Sequence, residues 1–172
     1  MDKPKLPEPW LRGTLTEVDP VQRAVLHALE LAKEDLQKWC GDLSDEELNA
    51  RPADVAPVAF HLRHIARSTD RLLTYAENQS LSPEQIALMK QELEPGAGRD
   101  ALFADLAAAL ESATERIQAF PPERLSEPRA VGRLQMPTTV AGLLIHVGDH
   151  AQRHVGQAVT TAKVIKNSRA DK

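Results

Sequence analysis

What most constrains this chain is a helical spacing of apolar residues, sustained in four long stretches and punctuated by prolines. Val21, Val25, Ala28, Leu29, Ala32 and Leu36 line one face of a first helix over about 20 to 40, where Asp19 can cap and Pro20 can take the first helical position. Val58, Leu62, Ile65, Thr69, Leu72 and Ala76 mark a second, from Val58 to about Asn78. Leu102, Leu106, Leu110, Ala113 and Ile117 mark a third from Asp100 to about Phe120, which Pro121 and Pro122 stop. The fourth opens at Thr138 or Thr139 and runs to about Lys166 through Val140, Leu143, Leu144, Val147, Ala151, Ala158 and Ala162. Two short helices are expected between them, each opened by a capping box: Ser44 with Glu47, ended by Pro52, and Ser82 with Gln85, stopped by Pro95 and Gly96. Residues 121 to 137 read as a long loop with one strand-like fragment. Four amphipathic helices bury their stripes only against one another, so the fold expected is all-α: an up-down-type four-helix bundle with short connecting helices, its long connection being 121 to 137 or 79 to 99.

The chain has 172 residues, enough for one such domain. Residues 1 to 18, with three prolines, read as an extended arm that Trp10 and Leu11 pack onto the body; 19 to 166 form the domain, and 167 to 172 a flexible tail. Apolar residues make up 42% but aromatic ones only 3%, which favours aliphatic helix packing. A net charge of −4 and a pI near 5.9 argue against a nucleic-acid partner, which demands a concentrated basic surface. Without an apolar leader or a long apolar run, neither export nor a membrane partner is expected. Cys40 is the one cysteine; it reads as a half-buried, inert thiol in a protein of the reducing cytoplasm.

Five of the six histidines fall in two windows. His61 and His64 stand in HLRHIA on the second long helix; His146, His150 and His154 stand in HVGDHAQRH on the fourth. Positions four apart on a helix share a face, so two or three imidazoles of the last window aim at one volume. If the two helices are neighbours, both windows can face one cavity. Neutral imidazoles suit zinc, nickel, copper or iron, and three of them leave a coordination position open for chemistry. The rival reading is a helical protein with fortuitous, hydrogen-bonded histidines, as His27 is expected to be. A metallopeptidase is disfavoured, because Ala151 stands where an H-E-x-x-H site has its glutamate. Asp149 could support a ligand or a water.

The pairing of HIARSTDRLL with LLIHVGDHAQRHVGQ resembles the DinB/YfiT-like metal-binding four-helix bundles over about residues 20 to 165. The resemblance implies a divalent metal, nickel or zinc, held by His64, His150 and His154, the last followed by the family's Gly156-Gln157, and a homodimer. Helical rotation alone puts His61 nearer the buried stripe than His64; the resemblance assigns His64, at the stripe's edge where a cleft would open. His61, His146 and Asp149 are then candidates for supporting a ligand or lining the cleft. Members of this superfamily include transferases that use low-molecular-weight thiols and metal-dependent hydrolases, so the activity implied is metal activation of a small thiol or of water. One or more of Arg63, Arg67, Arg71 and Arg153 could then bind a carboxylate of the thiol or of another small-molecule substrate. The alternative is a non-catalytic, stress-related bundle that binds a metal or small ligand.

Overall fold

Asp19 starts the first long helix: its carboxylate accepts from the Val21 amide at 2.8 Å, and Pro20 takes the first helical position. The computed structural model describes residues 6–170. Four long helices form the bundle, α1 (Pro20–Cys40), α3 (Val58–Ala76), α5 (Arg99–Gln118) and α6 (Val140–Ala170). Between them lie two short helices, α2 (Asp45–Asn49) and α4 (Pro83–Lys90), both opened by complete capping boxes. Helix α6 packs against α1 and α3, and α5 packs against α3 and α1, so α3 and α6 are neighbours. Leu36, Leu62, Ile65, Leu73, Leu102, Ile117, Leu144 and Val147 are fully buried where these stripes meet. Each such side chain contributes about 1.5–3 kcal/mol of apolar burial. Gly148 lets α6 approach α1 closely: a Cβ there would sit 3.4 Å from the Ala28 Cβ.

Several details depart from the sequence reading. The arm is not held by Trp10 and Leu11, which are exposed; Pro9 is buried, and Arg12 reaches α1 to pair with Glu30 and Glu34 at 2.8 and 2.6 Å. Helix α4 ends at Lys90, short of Pro95. Helix α6 passes Lys166 and continues to Ala170, so 167–170 are helical rather than a tail, and 171 and 172 lie outside the described residues. Its last turns are tied down by ion pairs from Lys166 to Asp42 and from Arg169 to Glu47. The long connection before α6 carries an antiparallel hairpin, β1 (Pro128–Val131) with β2 (Met136–Thr139), whose turn places Gly132 at φ +69°. Arg129, buried on β1, donates from Nε to the Ala76 carbonyl at 2.6 Å and so fastens the hairpin to the end of α3. Thr139 then caps α6, accepting from the Gly142 amide at 3.0 Å. Cys40 is wholly buried, and burial pushes its thiol up to about 11, which keeps it protonated and inert. His27 is also buried, with Nε2 3.1 Å from the Thr14 hydroxyl. Among the described residues no helix is long and apolar enough to cross a membrane.

Candidate metal centre

His64 from α3 and His150 and His154 from α6 bring one ring nitrogen each into a group whose members all lie within 4.8 Å of one another. The helical geometry does this directly: His150 and His154 are one turn apart on the face of α6 that meets α3. His64 Nε2 is 2.8 Å from His150 Nε2. Two nitrogens each about 2.0–2.1 Å from one ion lie roughly 3 Å apart, so this separation suits a shared cation. His150 Nδ1 is buried without a partner, leaving Nε2 as that ring's one engaged nitrogen.

Two further side chains orient the rings. Glu92, buried in the segment after α4, accepts from His64 Nδ1 at 2.6 Å through Oε2 and from Arg71 Nη1 at 2.7 Å through Oε1. A carboxylate only accepts, so His64 carries a proton on Nδ1, and in the neutral ring Nε2 is left as a lone pair facing His150. His61 Nδ1 lies 3.0 Å from His154 Nδ1. With His154 donating from Nδ1, its Nε2 is the nitrogen left for a cation. Carboxylate and imidazole partners of this kind fix tautomer and ring orientation around bound metals.

The surroundings favour neutral rings. Burial, reinforced by repulsion among neighbouring imidazoles, pushes His61, His150 and His154 down to about 4. They are therefore neutral at pH 7, the form that ligates metals. Burial opposes the charge on Glu92, yet the hydrogen bonds from His64 and Arg71 prevail and hold its carboxyl below the usual range.

The structure thus separates the two candidates on α3. His61 is 3% exposed, in the buried stripe where rotation puts it, and backs His154; His64, at the edge, joins the α6 pair. His146 stands at the rim, its ring centroid 5.3 Å from that of His150, and Asp149 bonds outward to Arg153 at 2.7 Å. Neither His146 nor Asp149 hydrogen-bonds to the three clustered rings.

Sequence reasoning missed Glu92 and the structural partners of three arginines. Arg63 Nη1 donates to the Glu92 carbonyl at 2.9 Å and also to that of Glu94; Arg67 Nη1 donates to the Leu88 carbonyl at 2.8 Å. With Arg71 on the Glu92 carboxylate, all three hold the 88–94 segment against α3. The one available signal was their spacing: three arginines at four-residue intervals on one helix face call for a row of acceptors.

A family model described as the DinB superfamily matches residues 28–158, a span that holds α3, α5, the Glu92 segment and α6 as far as Ala158, beyond His154. The chain belongs to the DinB superfamily. A crystal structure of a conserved protein from Enterococcus faecalis is similar to this DinB chain, with a TM-score of 0.71 at 20% sequence identity, covering 86% of this chain and 98% of that one. At that identity the likeness bears on the fold alone. No curated protein matches the chain. For this DinB-superfamily protein, the donor set of three imidazoles could hold a divalent metal ion.

Proposed function

We propose that this DinB-superfamily protein is a metal-dependent enzyme that activates a small thiol for transfer to an electrophile, with His64, His150 and His154 holding nickel or zinc. The observation that carries this reading is the convergence of three ring nitrogens from two helices, with Glu92 and His61 bonded behind two of them. A divalent ion with neutral ligands lowers the pKa of a thiol or water at its open position. The chain's own part is to keep His150 and His154 neutral by burial, to fix the His64 tautomer through Glu92, and to seat the substrate. A pocket of about 510 Å³ between the 52–56 segment and α6, which meets the cluster through His61 behind His154, is the proposed seat; His61, Arg153, Gln157 and Thr160 line it together with Val55 and Val164. Arg153 is the cation there for a carboxylate of the thiol or its acceptor.

Thiol transfer is favoured over hydrolysis by acidity: a thiol gives up its proton far more readily than water does, so it asks less of the ion. Glu92 is committed to His64 and Arg71, so among the described residues the buried carboxylate behind the cluster is not free to take that proton, which passes to solvent. The ionised sulfur attacks the electrophilic carbon, a C–S bond forms, and the leaving group departs with the electron pair of the bond that breaks. The family resemblance further supports a homodimer, and the lone buried cysteine supports a cytoplasmic setting.

The test is turnover. Metal-loaded protein without an affinity tag is mixed with cysteine or another cytosolic thiol and chlorodinitrobenzene, and in parallel with ester and phosphoester substrates. Thiol consumption that chelation and His150→Ala both abolish supports the reading, as does a raised KM with little change in kcat for Arg153→Ala. Ester or phosphoester cleavage without thiol transfer would assign a hydrolase instead, and inert metal-loaded protein a binding role.

A further inference from the structure

A cavity of about 350 Å³ lies between α3, α4 and α5, walled by Leu62, Ala66, Leu88 and Leu102 and by Arg63 and Arg67; none of the clustered histidines lines it. Its charges do not balance. Arg71 is paired with Glu92, and Asp70 is taken by Arg116 at 2.7 Å and by Gln85 at 2.6 Å. Arg63 is 8% exposed, spends Nη1 on two carbonyls, and leaves Nε buried with no partner. Arg67 is half-buried and bonds only the Leu88 carbonyl. Among the described residues neither has a carboxylate within 4.0 Å. Glu94, whose carbonyl Arg63 bonds, carries its carboxylate in an exposed position. Asp105, at the rim of the cavity, is exposed as well. A buried guanidinium with a half-buried one beside it and no carboxylate paired to either is costly, and an anion in the cavity would relieve that cost.

We propose that this cavity is a second small-molecule site, for an organic carboxylate with an apolar body: Arg67, backed by Arg63, takes the carboxylate and the aliphatic walls take the body. The guanidinium fork matches a carboxylate, and the volume suits a compact ligand. The aliphatic walls set an organic acid apart from an inorganic anion, which would leave them wet. The proposal does not rest on the metal reading, since no clustered histidine lines the cavity, although its arginines also hold the segment that carries Glu92.

Calorimetry on the full chain in metal-free form, titrated with hexanoate, tests this, with inorganic phosphate and hexanol as comparison ligands. Saturable hexanoate binding is expected, weaker by about tenfold or more in Arg67→Gln, a loss of roughly 1.4 kcal/mol. Ala109→Phe, which fills the cavity, should weaken it similarly, while Arg153→Gln and His150→Ala should leave it unchanged. Absence of saturation, wild-type affinity in both Arg67→Gln and Ala109→Phe, phosphate or hexanol binding as tightly as hexanoate, or loss in Arg153→Gln would each overturn the proposal.

Discussion

Replacing Glu92 with glutamine tests how the centre is organised, because it keeps the side chain's volume and removes half of its accepting capacity. Glu92 uses both oxygens, one for His64 Nδ1 at 2.6 Å and one for Arg71 at 2.7 Å. A glutamine has one oxygen, so its NH2 group must face either the His64 N–H or the Arg71 guanidinium, donor against donor. If the amide oxygen serves Arg71, His64 is released to swap tautomer or turn. Loss of a hydrogen-bonded partner behind a metal-binding histidine costs about 10–100-fold in affinity, or roughly 1.4–2.7 kcal/mol. The same change strips the carboxylate from Arg71, whose side chain is 11% exposed, and breaking a buried pair costs about 3 kcal/mol of stability. The two effects can be told apart. Glu92→Gln combined with Arg71→Leu removes the stranded cation and should recover most of the stability, while metal affinity stays low. Zinc competition against a chromophoric chelator and urea unfolding of the metal-free protein measure the two quantities. Zinc affinity within about twofold of wild type in a folded Glu92→Gln protein would refute the reasoning.

Three further outcomes follow from the same geometry. His61, His150 and His154 are held at about 4 against an ordinary 6.5, so the unfolded chain binds more protons than the folded one between these values. Metal-free protein should keep its full stability above pH 6.5 and lose it as the pH falls toward 4; equal urea midpoints at pH 7 and pH 5 would contradict this. Leu144→Ala empties a fully buried position of α6 and should cost about 2–5 kcal/mol in the same urea assay, whereas a cost below about 1 kcal/mol would mean that α6 is not packed as described. Arg12→Ala should leave the urea midpoint nearly unchanged, because its partners Glu30 and Glu34 are half exposed, yet should speed amide exchange across residues 6–18 while α6 keeps its protection.

The readable parts of this structure are those written in local spacing. Asp19 with Pro20 and the two capping boxes act within four residues of themselves, and each starts its helix where the pattern places it. The apolar stripes carry the bundle for the same reason. They also put the two histidine windows on adjacent helices, and the structure brings His64, His150 and His154 together. Rotation alone ranked His61 above His64, and it is correct about burial, but it is His64, at the edge of the stripe, that stands with His150 and His154. What spacing does not carry is contact across irregular backbone. Glu92 sits in a segment without regular structure and meets His64 from 28 positions away, so no periodicity announces it. Arg63 and Arg71 look like solvated helix surface until that segment folds over them. The hairpin is legible only as one strand-like fragment because its strands are four residues each, stiffened by Pro128 and Pro137, with no apolar alternation.

Metal content of tag-free protein tests the central claim most directly. After saturation with zinc or nickel and removal of excess, elemental analysis should find about one ion per chain in the wild type and in His146→Ala, and a large loss in His64→Ala, His150→Ala and His154→Ala. Full metal content in His64→Ala, or its loss in His146→Ala, would contradict the account.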